Sequence, residues 1–243
     1  MQTKHLIIAA AGTGGHVMPG LAVAEEMKKR GWTVSWIGTP VGMESRLVGQ
    51  RNIEFDALDF TGMRGKGIKH MFTGALKLVK ACFAAKALVE KRQASAMFST
   101  GGYIAVPAAF GARSKNKPLI MMNCDAGSLM SVRAVMPWAQ AVMCGFDGEC
   151  AHRAGSKAIV SGNPVREDIL ALPEPQQRYA VRTGKLNLLV FGGSLGAKVL
   201  NETVPAAIAK FPLEERPIVT HQCGKNAVED VKALYAKATP SSA

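Results

Sequence analysis

A glycine-rich turn that contains a histidine is the part of this chain best suited to chemistry. The turn, residues 12–16, reads Gly-Thr-Gly-Gly-His and follows the apolar run 6–11. Such a run predicts a buried strand, and Pro19 is typical of the first turn of a helix. Backbone N–H groups at the start of a helix bind anions, so a phosphate is the expected ligand. Imidazole groups titrate near neutral pH, so His16 adds a group for acid–base chemistry.

Two further glycine turns follow predicted strands. Residues 99–103 read Ser-Thr-Gly-Gly-Tyr after the uncharged segment 96–98, and residues 192–197 read Gly-Gly-Ser-Leu-Gly-Ala after the apolar segment 186–191. A single glycine turn is weak evidence, because glycines also serve ordinary turns. Three such turns after three strands favour a role in binding a ligand.

The rest of the chain alternates between strand and helix patterns. Strands are predicted at 5–10, 33–37, 53–59, 95–98, 118–122, 140–144, 186–191 and 217–220. Helices are predicted at 19–30, 68–92, 103–113, 128–136, 195–210 and 226–238. This alternation indicates an α/β fold with parallel sheets covered on both faces. Ligands of such sheets bind beyond the carboxyl ends of the strands, where the three glycine turns would lie.

The chain is expected to form two domains, residues 1–162 and 163–243. Segment 172–177 contains two prolines and is typical of a linker. The second domain is short for a doubly wound fold and ends in a loop-like segment, so we expect it to be incomplete.

Composition narrows the classes of function. The chain has 30 Lys and Arg against 18 Asp and Glu, a balance that suits nucleic acid, anionic lipid or phosphorylated small molecules. It lacks an aromatic-rich basic stripe, which disfavours nucleic acid. Five scattered cysteines without a CxxC pair indicate neither a disulfide framework nor a zinc site. There is no signal-peptide pattern and no apolar run of about 20 residues, so a cytosolic location is expected.

Taken together, the motifs resemble those of the MurG family of bacterial glycosyltransferases, which add N-acetylglucosamine to a lipid-linked cell-wall precursor. The motifs that carry the resemblance are residues 12–16 with 19–22, 62–67, 101–103, 162–166, 192–197 with Asn201, and 221–225. Several motifs in one order are far more specific than any one of them.

The resemblance implies a GT-B fold of two Rossmann-like domains with doubly wound parallel sheets, the second incomplete here. It implies an inverting hexosyltransferase that moves N-acetylglucosamine from UDP-N-acetylglucosamine to the 4-hydroxyl of undecaprenyl-pyrophosphoryl-N-acetylmuramoyl-pentapeptide in peptidoglycan synthesis. It also implies a peripheral protein on the cytoplasmic face of the inner membrane, with no cofactor, no metal and no nucleic-acid partner.

The resemblance also implies roles for individual residues. His16 would be the catalytic base, although an ordinary turn histidine that only bonds the backbone is the alternative. The donor would be bound by Thr13, Gly14, Gly15, Asp125, Arg166, Gly192, Gly193, Ser194 and Asn201. The acceptor diphosphate would be bound by backbone N–H groups of Gly14, Gly15, Gly101, Gly102 and Tyr103.

Segment 69–88 interleaves large apolar residues with lysines. A basic amphipathic helix of this kind is suited to an anionic membrane surface. The alternative is an ordinary domain helix with one core face and one lysine face.

The sequence departs from the family pattern at one motif. The family usually has His-Glu-Gln-Asn where residues 122–125 read Met-Asn-Cys-Asp. Met122 replaces the expected histidine, and Asp125 replaces an amide that can both donate and accept. How residues 122–125 contact the donor sugar or the acceptor is therefore not fixed by the resemblance.

Three alternative functions remain. The first is a chain without transferase activity that acts as a lipid-diphosphate or membrane-binding module. The second is a different GT-B enzyme that uses a UDP-sugar, such as an epimerase, and the third is a nucleic-acid binder.

Overall fold

A computed structural model describes residues 3–60, 68–193 and 195–238 of the chain. The motif at 62–67 and the side chain of Ser194 lie outside the described residues. Two compact units are present, Met1–Leu172 and Pro173–Ala243.

The first unit contains a seven-stranded sheet in which every strand pair is parallel. The strands are β1 (His5–Ala10), β2 (Thr33–Gly38), β3 (Glu54–Ala57), β4 (Ala96–Gly101), β5 (Leu119–Asn123), β6 (Ala141–Cys144) and β7 (Ala158–Val160). Their order is β3-β2-β1-β4-β5-β6-β7, with β1 in the interior of the sheet between β2 and β4. The predicted α/β fold with a parallel sheet is confirmed.

Helices connect these strands. They are α1 (Gly14–Lys29), α2 (Met43–Gly49), α3 (Ile68–Lys91), α4 (Ala105–Ser114), α5 (Met130–Val135), α6 (Glu149–Ala154) and α7 (Glu167–Leu170). Two apolar cores are present, and alternate residues of β1 belong to different cores. Ile7 and Ala9 belong to one core, and Leu6 and Ile8 to the other. Burial of both faces explains why β1 is apolar at every position after His5.

The start of α1 differs from the prediction. Pro19 lies inside the helix rather than at its beginning, and the helix begins at Gly14. Thr13 has extended backbone angles, and its carbonyl accepts bonds from the N–H groups of His16 and Val17, which close the first turn. A proline within a helix removes one N–H donor, a loss that the remaining bonds of this long helix tolerate here.

Strand β7 and the short helices α2 and α6 are not among the predicted elements. They contain three, seven and six residues, and segments this short carry little periodicity. The longer elements agree with the prediction to within a few residues at most ends.

The second unit contains a parallel pair, β8 (Asn187–Phe191) and β9 (Ile218–Gln222). Its helices are α8 (Pro175–Ala180), α9 (Lys198–Ile208) and α10 (Val228–Ala238). Val190 is buried, whereas its neighbours Leu189 and Phe191 are 66% and 68% exposed. Helices α9 and α10 pack together.

Nowhere in the described ranges is there a helix long and apolar enough to cross a membrane.

Candidate functional site

The first glycine turn joins β1 to α1 at the carboxyl end of the sheet. Gly12 has a φ of +109°, a conformation that side chains other than glycine rarely adopt. In the described part of the chain, the N–H groups of Gly14 and Gly15 have no hydrogen-bond acceptor. Two N–H donors at the start of a 16-residue helix therefore remain available to an anion.

The side chain of His16 is held by the end of β4. Its Nδ1 lies 2.9 Å from the carbonyl oxygen of Thr100, and Thr100 Oγ1 donates to the carbonyl oxygen of His16 at 2.8 Å. A carbonyl oxygen can only accept, so Nδ1 must carry the proton. The lone pair of the neutral ring is therefore on Nε2, which has no protein partner among the described residues. This is the arrangement that a general base requires.

The second glycine turn, at 101–103, lies against the first. A Cβ on Gly102 would come within 2.6 Å of the carbonyl oxygen of Ala11, so only glycine permits this approach. A Cβ on Gly12 would lie 3.9 Å from both the His16 ring and the Tyr103 ring. The predicted site residues His16 and Tyr103 therefore flank Gly12.

Two N–H groups of the second turn that are predicted to bind phosphate already donate hydrogen bonds to serine hydroxyls. Gly101 N–H donates to Ser99 Oγ at 3.3 Å, and Gly102 N–H donates to Ser131 Oγ at 3.1 Å. A diphosphate would reach these N–H groups only by displacing the serine hydroxyls. The N–H of Tyr103 has no acceptor among the residues that the structure describes. The motif at 99–103 includes Ser99 and Thr100 but gives them no role, and no motif marks Ser131.

The segment that departs from the family pattern follows β5. Met122 is buried in the core, 1% exposed, so its side chain takes no part in the site. Asn123 holds the following turn by donating to the carbonyl oxygens of Asp125 and Gly127. Asp125 itself is exposed. Burial and the charge of Asp125 raise the pKa of Cys124 to about 11, so this thiol is protonated at neutral pH.

Arg166 belongs to the first unit and precedes α7. Its Nε lies 3.5 Å from Asp168 Oδ1, and it lines a cavity of about 440 Å³ together with residues from the second half of α1. The glycine turn lies at the other end of that helix. The structure does not bring Arg166 to the turn at 12–16.

The third glycine turn belongs to the second unit. Gly193 and Gly196 have φ values of +76° and +74°, and a Cβ on Gly196 would collide with the carbonyl oxygen of Cys223. Asn201 is 8% exposed and donates to the same carbonyl at 2.9 Å. Asn201 thus links α9 to the residue after β9, at the same carbonyl that Gly196 approaches. Ser194 lies outside the described residues.

Across the described ranges, no three His, Cys, Asp or Glu side chains are grouped so that they could hold a metal ion.

Two α/β units with parallel sheets, each with a glycine turn after its first strand, fit the GT-B class of folds. The N-terminal domain profile of glycosyltransferase family 28 matches residues 6–143, and the C-terminal domain profile of that family matches residues 187–242. The chain therefore belongs to glycosyltransferase family 28.

Curated relatives have the same name in different bacteria. A protein of Methylibium petroleiphilum is 50% identical over 239 residues, and one of Janthinobacterium sp. is 48% identical over 235 residues. Both are named UDP-N-acetylglucosamine–N-acetylmuramyl-(pentapeptide) pyrophosphoryl-undecaprenol N-acetylglucosamine transferase. The matches cover 97% of this chain and 65% of each relative. The chain thus spans about two thirds of the length of these relatives.

A solved structure agrees with these matches. The crystal structure of Acinetobacter baumannii MurG is similar with a TM-score of 0.76 and 34% sequence identity. The similarity covers 97% of this chain and 65% of the crystallised chain.

Proposed function

We propose that this chain transfers N-acetylglucosamine from UDP-N-acetylglucosamine to undecaprenyl-pyrophosphoryl-N-acetylmuramoyl-pentapeptide. The names of the curated relatives support both substrates. The observation that carries the proposal is His16, whose Nε2 is unpaired in the described structure and lies in the same turn as the available N–H groups of Gly14 and Gly15.

The chemistry is a single displacement. The 4-hydroxyl oxygen of the acceptor attacks C1 of the donor sugar, and the bond between C1 and the UDP oxygen breaks as the new bond forms. His16 Nε2 takes the hydroxyl proton, and the electron pair of the broken bond leaves with UDP. Attack from the face opposite the leaving group inverts the anomeric centre. General base assistance of this kind contributes about 10²–10⁴-fold to a rate.

Backbone donors would stabilise the two diphosphates. The N–H groups of Gly14, Gly15 and Tyr103 would bind the acceptor diphosphate. The turn at 192–194, just before α9, would bind the donor diphosphate, where N–H groups stabilise the charge that develops on the leaving group. Arg166 would add a charged contact to that group, and Asp125 would accept a bond from a sugar hydroxyl.

Helix α3 supports contact with an anionic membrane at the cytoplasmic face. Leu76, Val79 and Phe83 are 65%, 52% and 60% exposed and recur at helical spacing, while Lys77 and Lys80 are exposed beside them. An apolar stripe with flanking lysines is the pattern of helices that rest on a bilayer surface. The lipid-linked acceptor gives such contact a purpose.

The side chains of the first residues of this segment, including Met71 and Phe72, lie outside those described. Leu88 packs against the core and takes no part in the exposed stripe. Among the described side chains, the exposed apolar stripe therefore does not extend to Leu88.

The proposal is tested by measuring UDP release from UDP-N-acetylglucosamine with and without the lipid-linked acceptor. We expect acceptor-dependent release by the wild-type chain and a loss of about 10²-fold or more in His16→Ala, from removal of the base. His152→Ala is the matched control, because His152 is an exposed residue of α6. Its release should equal that of the wild type.

The second candidate function is a module that binds the lipid diphosphate without transfer. The available N–H groups of Gly14 and Gly15 favour it as much as they favour the transferase. A folded chain that sediments with vesicles containing the acceptor, yet releases no UDP, would support this module and contradict the transferase.

A further inference from the structure

A buried carboxylate lies beside the first glycine turn and has no role in the mechanism above. Glu44 is 0% exposed and lies in the first turn of α2. Acidic side chains are rarely buried completely unless several donors surround them. The position of Glu44 therefore requires an explanation.

Both oxygens of this carboxylate accept hydrogen bonds from described residues. Oε1 accepts from the backbone N–H of Thr39 at 2.9 Å and from Thr39 Oγ1 at 2.6 Å. Oε2 lies 3.5 Å from the backbone nitrogen of Gly12, whose N–H donates to it. Donors on both oxygens are the surroundings that an ionised carboxylate needs.

Two glycines make room for this carboxylate. A Cβ on Gly42 would collide with both carboxylate oxygens, and a Cβ on Gly38 would lie 2.7 Å from the Cγ atom of Glu44. The space is bounded by backbone on both sides. Glu44 is therefore held in one place, with its second oxygen directed at the glycine turn.

We infer that Glu44 is a positioning residue for the anion-binding turn, acting through the N–H of Gly12. This inference rests on the proposed function, in which the turn binds a diphosphate. By drawing the Gly12 N–H inward, the carboxylate fixes the turn so that the N–H groups of Gly14 and Gly15 stay directed away from the protein. The negative charge of Glu44 also repels a bound anion. The inference therefore requires that fixing the Gly14 and Gly15 N–H groups strengthens anion binding by more than this repulsion weakens it.

Glu44→Gln tests the inference with a side chain of the same size. The amide oxygen can replace Oε1 and accept from Thr39, but the amide NH₂ then faces the Gly12 N–H, donor against donor. We expect hydrogen exchange of the Gly12 amide, followed by NMR, to become at least about tenfold faster, because a hydrogen bond to a charged group contributes about 1.5–3 kcal/mol. Affinity for inorganic pyrophosphate should fall by a similar factor.

Glu25→Gln is the matched control, because Glu25 pairs with Arg51 at a partly exposed position. It should leave both readouts unchanged. Unchanged Gly12 exchange in Glu44→Gln, or pyrophosphate affinity that is equal or tighter, overturns the inference.

A measurement on the wild-type chain decides the question if Glu44→Gln does not fold. The Gly12 amide should then exchange at least about tenfold more slowly than those of Gly14 and Gly15, which lack acceptors in the described structure. Equal rates overturn the inference.

The same experiments separate this inference from the proposed function. A wild-type chain that does not bind pyrophosphate contradicts the anion-binding turn and the inference with it. A chain that binds pyrophosphate through a turn sensitive to Glu44, but transfers no sugar, contradicts the transferase alone.

Discussion

The hydrogen bond between His16 and Thr100 determines which nitrogen of the imidazole is available for chemistry. The motif marks His16 from its place in the turn, but the partner lies 84 residues away on another strand. With the carbonyl of Thr100 as acceptor, the ring carries its proton on Nδ1, and the lone pair is left on Nε2. The same turn thus holds the predicted base and two N–H groups without acceptors among the described residues.

His5 leads to a prediction about stability and pH. Its ring nitrogens lie 2.8 Å from Thr33 Oγ1 and Ser35 Oγ, and burial, with a smaller effect of the Arg92 charge, lowers its pKa from 6.5. The unfolded chain therefore binds a proton more readily than the folded chain. The free energy of unfolding should fall as pH drops through about 6.5 toward the lower folded pKa.

Urea unfolding at several pH values between about 5.5 and 7.5 checks this expectation, since carboxylates titrate below that range. His5→Gln should show a shallower decline in the free energy of unfolding over this range. Burial also lowers the pKa of His221, which belongs to the second unit, so the unfolding of that unit should keep its own decline in His5→Gln. Identical slopes for the wild type and His5→Gln would contradict the assignment to His5.

At the scale of elements, close contact between α3 and α4 depends on one glycine. A Cβ on Gly111 would lie 2.9 Å from the backbone carbon of Ala85. Because that atom is backbone, it cannot move aside without shifting α3. Overpacking in Gly111→Ala costs about 1–3 kcal/mol, and helix propensity offsets about 1 kcal/mol of it. The substitution should therefore destabilise the protein by up to about 2 kcal/mol.

Gly49→Ala is the matched control for this substitution. Gly49 is the last residue of α2, and a Cβ there would meet nothing within 4 Å. Alanine should be neutral or stabilise by up to about 1 kcal/mol. Urea unfolding of both variants is the measurement, and equal effects would show that the α3–α4 contact is looser than the structure indicates.

The exposed stripe of α3 gives a second prediction at this scale. Replacing Leu76 and Phe83 by serine should reduce sedimentation of the chain with anionic vesicles, since burial of each large apolar side chain contributes about 1.5–3 kcal/mol. Leu170→Ser is the control, because Leu170 is 70% exposed on α7. If Leu170→Ser reduces sedimentation equally, or if the double variant sediments like the wild type, α3 is not the membrane-contact surface.

At the scale of the whole molecule, the two units differ in how much sheet they contain. The first has seven strands with buried residues on both faces, and the second has two strands with Leu189, Phe191 and Ile218 at least 57% exposed. Two-stranded sheets are marginally stable without further packing. The second unit should therefore unfold at a lower urea concentration than the first.

Tryptophan fluorescence provides the measurement. The three tryptophans, Trp32, Trp36 and Trp138, all belong to the first unit, so fluorescence reports on that unit alone. Circular dichroism reports on both units and should show an earlier transition. Coincident transitions by the two probes would instead indicate a single cooperative unit.

Residue patterns by themselves determine the fold class, most of the longer elements and the places of the glycine turns. These features are local, because strand and helix periodicity and the backbone freedom of glycine depend on neighbours along the chain. The same is true of the choice of His16 as the candidate base, which depends on its place in the first glycine turn. Short elements such as β7 and α2 escape this kind of reasoning because a few residues do not establish a period.

Only the tertiary structure decides which polar groups are available. Gly14 and Gly101 look alike in the sequence, yet the N–H of the first has no described acceptor and the N–H of the second donates to Ser99. Glu44 reaches Gly12 across 32 residues, and no motif marks it. Hydrogen-bond partners are set by packing between distant segments, and packing is a property of the folded chain rather than of any stretch of sequence.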